Sequence, residues 1–225
     1  MFLEFILTTH LFIWSILSYY KLSEDKEQPI NICMSKIIKI EPVPKYYSLT
    51  WMLGAFCNYS CSYCPDEWHD TTSRPHDLDT LKTAWRNVYQ KTRHLGLQYK
   101  ISFTGGEVTA NKNFLPFLEW LRTDYSDIAM ALFTTNGSAS ANYYIKMARV
   151  VESISFSIHS EFMNEEEFFD KAVKINSVMV RPHKSFHVNI MDEPWNSEGI
   201  IRYKSFLDQH HISYSVNEIF YAKQI

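Results

Sequence analysis

Cys57-Asn58-Tyr59-Ser60-Cys61-Ser62-Tyr63-Cys64 is the stretch on which the reading of this chain turns. Three of the four cysteines fall inside it, and none follows Cys64. A disulfide framework would spread its cysteines over the fold. This clustering points instead to a local metal or redox site in a reducing compartment, and so to a cytoplasmic protein. Three thiolates at Cys-x3-Cys-x2-Cys spacing can converge on one centre. The loop alone leaves three readings open: a [4Fe–4S] cluster, a structural zinc with His69 as fourth ligand, or unconnected thiols. Such clusters normally take four cysteines. With three, one iron keeps an open coordination position, which is what chemistry on a bound ligand requires.

The surroundings of the loop alternate between strand and helix. Tyr47–Leu53 reads as a strand leading into it. Asp77–Leu95 reads as a helix, with Leu78, Leu81, Trp85, Val88 and Leu95 at three- and four-residue steps and Gly96 as a stop. Strands follow at Tyr99–Thr104, Ile128–Thr134, Ser153–His159, Phe186–Met191 and Ile212–Val216. Helices are expected at Asn113–Leu121, Ala141–Val150, Asn164–Val178 and Gly199–His210. Six strands alternating with five helices predict an α/β fold with a parallel sheet and right-handed crossovers. The strands also alternate internally. Ser153, Ser155, Ser157 and His159 share one face, and Ile154, Phe156 and Ile158 the other. His187 and Asn189, Ser213 and Ser215, Ser48 and Thr50, and Ser102 and Thr104 repeat the pattern. One face therefore takes helices. The other is small and polar, and is expected to be the concave wall of a ligand cavity in a partial (β/α)6 barrel.

Composition sets the outer bounds. The chain has 225 residues, 46% hydrophobic and 21% charged, which suits one folded domain with an appendage. Net charge is -3, so no basic excess drives general nucleic-acid binding. Residues 1–45 read as an N-terminal extension and 46–225 as the core domain. Residues 2–20 are apolar enough to be a candidate membrane anchor, near the minimum spanning length, with Glu4 and His10 interrupting them. The stretch lacks the basic start of a signal peptide. Met34 is an alternative start that would leave residues 1–33 outside the fold.

Two further motifs follow the cysteine loop in order. Thr104-Gly105-Gly106-Glu107 ends the second strand, and Thr134-Thr135-Asn136-Gly137 the third. All three stand at carboxyl ends of strands, where α/β sheets bind ligands. Together they resemble the radical S-adenosylmethionine (SAM) superfamily over about Tyr46 to Met191, in a form with a single [4Fe–4S] cluster. The resemblance implies that Cys57, Cys61 and Cys64 hold three irons and that SAM chelates the fourth. It implies that Tyr63 lies near the adenine through its backbone, and that Gly105 and Gly106 meet the methionine amino group. Glu107 would hold the ammonium end or the loop. Thr135 and Asn136 would reach the SAM carboxylate or ribose, and Ser157 and His159 the ribose. Val108 stands where the family often has proline. The implied chemistry is reductive cleavage of SAM to a 5′-deoxyadenosyl radical, which takes a hydrogen atom from a small molecule, nucleoside or peptide. A flavodoxin- or ferredoxin-like one-electron donor is the implied partner.

Plainer readings compete at several positions. Glu165-Glu166-Glu167 fits a helix first turn capped by Asn164. Gly137 suits a turn, and His159 alone suits a hydrogen-bonded structural histidine. Trp68, His69 and Asp70 suit either a substrate-side loop or simple packing. The lack of cysteine after Cys64 argues against an auxiliary-cluster domain. A non-catalytic iron–sulfur module and a zinc-stabilised binding domain are the alternative functions.

Overall fold

The computed structural model describes residues 45–65 and 70–219. The candidate anchor at 2–20, Cys33, Met34, Trp68 and His69 lie outside the described residues. Within them, β1 (Tyr46–Met52), β2 (Gln98–Thr104), β3 (Ile128–Thr135), β4 (Ser153–Ile158), β5 (Ser185–Asp192) and β6 (Ser213–Glu218) form one sheet. The intervening helices are α1 (Leu78–Thr92), α2 (Phe114–Asp124), α3 (Ala141–Val150), α4 (Glu165–Met179) and α5 (Ser197–Gln209). The expected order of elements is observed. A short 3₁₀ turn, Arg93–Leu95, closes α1, and Gly96 follows it with φ of 64°. The stop signal at Gly96 therefore acts on the 3₁₀ turn rather than on the α-helix itself.

Strand order is sequential, β1-β2-β3-β4-β5-β6, and every pairing is parallel. Crossovers of one hand between sequential neighbours put all helices on the same side of a sheet. Among the described residues the opposite side is free of helices, as in a barrel and unlike a doubly wound sheet. This is the partial (β/α)6 barrel expected from the alternating strands. The helix-facing residues form the core: Trp51, Ile101, Phe103, Phe133, Ile154, Phe156, Val188 and Ile190 are all buried. Trp85 of α1 is fully buried and packs against Trp51, Tyr99 and Tyr125. On the free side, Ser48 and Thr50 are exposed and Ser102, Ser153 and Ser155 partly so. There His187 bonds Ser213 through Nδ1 at 3.0 Å and Ser215 through Nε2 at 3.1 Å. These contacts tie the edge strand β6 to β5 beyond the ladder itself.

Helix starts follow local chemistry. The Asp77 carboxylate accepts from Thr80 N at 2.7 Å to cap α1. The Asn164 side chain accepts from Glu167 N at 2.9 Å to cap α4. The three glutamates thus stand in a first turn, where the helix dipole favours them. Among the described residues no helix is long and apolar enough to cross a membrane.

Candidate functional site

The cysteine loop leaves β1 and is stapled at both sides. Leu53 N donates to Thr104 O at 2.8 Å, so the β1–β2 pairing continues past its last ladder residue. Gly106 N then donates to Gly54 O at 2.9 Å, and Glu107 N to Phe56 O at 2.8 Å. Asp70 N donates to Ala55 O, and Cys57 N to Asp70 O at 3.1 Å. Thr72 N, Thr72 Oγ1 and Ser73 N all donate to the Asp70 carboxylate, and these bonds lower its pKa to about 2.

This staple explains the glycine pair. Gly105 has φ of 138°, and a Cβ there would stand 2.5 Å from Gly54 O. A Cβ on Gly106 would fall onto the carbonyl oxygens of Ala55 and Phe56. Close approach to a ligand was the reason expected for these glycines. The structure supplies a nearer one: the backbone of the cysteine loop already occupies the space of a side chain.

Two cavities share Gly106 and Glu107. One, about 370 Å³, is lined by the 53–56 and 73–76 segments with Arg74 and His76, and contains no cysteine. The other, about 320 Å³, gathers nearly the whole expected set: Cys57, Cys61, Cys64, Gly105, Gly106, Glu107, Thr135, Asn136, Ser157 and His159. Residues from the carboxyl ends of β1 to β5 meet there, with Met191 as the β5 contribution. We place the site in this second cavity because all three loop cysteines line it. Tyr63 does not line it. It is buried behind Cys61, stacked on His159 with ring centroids 6.0 Å apart.

Glu107 is 3% exposed and joins three segments. Its Oε1 accepts from Thr109 N at 2.8 Å, Thr109 Oγ1 at 2.5 Å and Thr135 Oγ1 at 2.7 Å. Its Oε2 accepts from Asn136 N at 2.6 Å. Burial raises its pKa, and these four donors oppose that shift. Thr135 Oγ1 gives its only proton to Glu107, so it accepts from Tyr144 OH and Gly137 N. Asn136 Nδ2 donates to Asn58 Oδ1 at 2.9 Å, and its Oδ1 accepts from Ser138 N. These three residues brace the β2 and β3 ends against the cysteine loop. Ser157 Oγ accepts from Asn189 Nδ2 at 3.3 Å.

Burial raises the pKa of the Cys57 thiol and pushes that of Cys61 up to about 12. A hydrogen bond from Tyr63 opposes the shift at Cys61. His159 is lowered to about 4 by burial and is neutral. Among the described residues no group of three His, Cys, Asp or Glu side chains could hold a metal ion as the side chains stand. A single zinc ion needs its sulfurs about 2.3 Å from one point. An iron–sulfur cluster instead gives each thiolate an iron of its own, so sulfurs spaced around a shared cavity suit it. The donor set of three cysteines facing one space therefore fits a cluster with one iron left open.

Several contributors carry no sequence signal. Glu161 accepts from Ser62 N at 2.8 Å and from Ser62 Oγ, clamping the loop midway between Cys61 and Cys64. Glu193 is 1% exposed and accepts from Ser160 N and Ser160 Oγ, holding the β4 end to the β5 end. Tyr59 stacks on Phe162 at 5.3 Å, and Trp195 leans on Tyr63 at 6.2 Å. Ser160 and Glu193 are 33 residues apart and the other pairs about a hundred or more, so spacing along the chain could not reveal them.

No family model matches the chain. Among curated proteins it is similar to the GTP 3',8-cyclase of Pasteurella multocida strain Pm70, at 28% identity over 201 residues. That match covers 75% of this chain and 58% of the relative. The Haemophilus influenzae strain PittEE enzyme of the same name matches at the same identity and coverage. That of Actinobacillus succinogenes is 29% identical over 160 residues, 60% of this chain and 46% of the relative. The chain thus spans less than two thirds of the length of the relatives it matches. These relatives support the resemblance to the radical SAM superfamily that the motifs carry.

Proposed function

We propose that the protein is a radical SAM enzyme, with Cys57, Cys61 and Cys64 holding a [4Fe–4S] cluster and SAM bound in the adjoining cavity. The observation that carries this reading is the meeting of three sulfurs with the ends of β2, β3, β4 and β5 around one 320 Å³ space. The named relatives add support, since they are enzymes. When bound, the cluster and SAM supply reductive cleavage of the sulfonium and hydrogen-atom abstraction from substrate.

The chain's own residues do the rest. Gly105 and Gly106 keep the β2 end flush against the cysteine loop, so backbone rather than side chain forms that wall. Glu107, Thr135 and Asn136 hold the β3 end at a fixed distance from Asn58 of the loop. Ser157 and His159 form the β4 wall and Met191 the β5 wall. Ser157 Oγ and the free ring nitrogen of His159 are the polar groups we assign to ribose contact. A one-electron donor of flavodoxin or ferredoxin type would supply the reductant. The relatives' name makes GTP the first substrate to test.

The reading is tested by anaerobic reconstitution with iron and sulfide, followed by dithionite and SAM. Wild type is expected to form 5′-deoxyadenosine and Cys61→Ala is not. Equal product from the two proteins overturns the assignment.

A further inference from the structure

His159 Nδ1 lies 2.5 Å from Tyr63 Oη and 3.5 Å from Cys61 Sγ. Tyr63 Oη and Cys61 Sγ thus share one ring nitrogen, and the phenol stands near enough to the sulfur to favour its thiolate. A hydroxyl, a ring nitrogen and a cysteine sulfur form a part-buried triangle, in which Cys61 and His159 line the cavity and Tyr63 does not. The triangle joins residues almost a hundred positions apart. It is held from outside by two packing contacts, Tyr63 on Trp195 and His159 on Tyr59.

Proton counting gives the triangle a direction. A thiolate bound to iron has no proton and only accepts. The phenol has one proton, and the sulfur is the acceptor it completes. Where the phenol spends that proton on the sulfur, Tyr63 Oη accepts from His159 and Nδ1 carries the ring proton. Nε2 is then left as an acceptor on the histidine's remaining edge. Donation from Nδ1 polarises the phenol and strengthens its bond to sulfur.

We propose that Tyr63 and His159 are positioning residues that act through Cys61 to set the reduction potential of the cluster. The inference rests on the radical SAM reading above. The step concerned is uptake of one electron by the oxidised cluster, supplied in the test by dithionite. Reduction adds negative charge that the cluster's sulfur ligands share. A donor aimed at Cys61 Sγ therefore favours the reduced form and raises the potential. The family resemblance implies that the Tyr63 backbone lies near the adenine and His159 near the ribose; the geometry adds a task for the two side chains at Cys61.

The test is a redox titration of full-length, reconstituted protein followed by electron paramagnetic resonance, with iron counted in every sample. Tyr63→Phe removes the hydroxyl, and His159→Leu removes its donor. Each is expected to lower the ratio of reduced to oxidised cluster at a fixed potential by about three- to tenfold. His159→Asn keeps an N–H near the Nδ1 position and is expected to restore most of that loss. A fluorotyrosine placed at position 63 keeps the packing and has a more acidic hydroxyl, so it should shift the ratio the opposite way. Equal potentials in wild type and the fluorotyrosine protein, both with full iron, overturn the proposal alone. Wild-type protein that binds no iron overturns the functional reading and the proposal with it.

Discussion

Replacing Glu107 by glutamine separates two roles for the buried acid that lines the cavity. The side chain keeps its size, so packing is not the variable. A carboxylate presents two acceptor oxygens, whereas an amide presents one and turns the other position into a donor. The amide oxygen best replaces Oε1, which receives three bonds. The amide NH₂ then faces Asn136 N–H, whose bond to Oε2 is 2.6 Å long in the wild type. Two donors meet in a buried place. A lost hydrogen bond to a charged acceptor costs about 1.5–3 kcal/mol, and an unsatisfied buried N–H costs a similar amount that overlaps with it. Relief from burying a charge offsets part of the loss. The expected net loss is about 2 kcal/mol, or about 4–8 °C in Tm for a domain of this size. Urea unfolding of wild type and Glu107→Gln, with the slope unchanged, measures it. A change under about 0.5 kcal/mol, the range of ordinary surface substitutions, would refute the bracing role. If Glu107 acts mainly on the SAM ammonium group instead, the variant would weaken SAM binding and leave urea unfolding unmoved.

Three other outcomes follow from the geometry. Gly106→Ala sets a methyl group onto the Ala55 and Phe56 carbonyls. It should cost about 1–3 kcal/mol by overpacking and reduce the iron retained after reconstitution; full stability and full iron would contradict the staple. Glu161→Ala frees Ser62 from its clamp. Stability should fall by only about 0.5–1.5 kcal/mol, while iron is lost to a chelator faster than from wild type. His187 has its pKa lowered by burial between Ser213 and Ser215. As pH falls below about 6.5 the unfolded chain takes up a proton before the folded one, so stability is complete above that pH and declines below it. His187→Gln should therefore lose less Tm between pH 7 and pH 5 than wild type does, and an identical loss would remove His187 as a contributor.

Strand and helix positions were legible because the strands here alternate cleanly. Ser153 to Ile158 reads in or out at each step, and burial in the structure follows that pattern up to Phe156. Ser157 breaks it, buried at 7% where β4 enters the cavity. The site's contributors were legible where they cluster in sequence after a strand, as with the cysteines, Gly105-Gly106-Glu107 and Thr135-Asn136. What the residues do was less legible. Gly105 and Gly106 read as ligand-facing and do line the cavity, but their contact with the Gly54 to Phe56 backbone was not legible, because sequence order does not show how closely two chain segments cross. Tyr63 and His159 read as separate ligand contacts, yet they share one hydrogen bond. Glu161 and Glu193 belong to no motif in the sequence. Their partners, Ser62 and Ser160, lie 99 and 33 residues away, and only the closing of the barrel brings them together.

The central claim is that three sulfurs hold a cluster whose fourth iron stands open to SAM. Paramagnetic resonance of the dithionite-reduced, reconstituted protein, recorded before and after adding SAM, addresses it most directly. The account predicts a reduced-cluster signal whose g values shift when SAM is added, and no such shift in Cys64→Ala. A signal indifferent to SAM, or one that shifts equally in the variant, would contradict it.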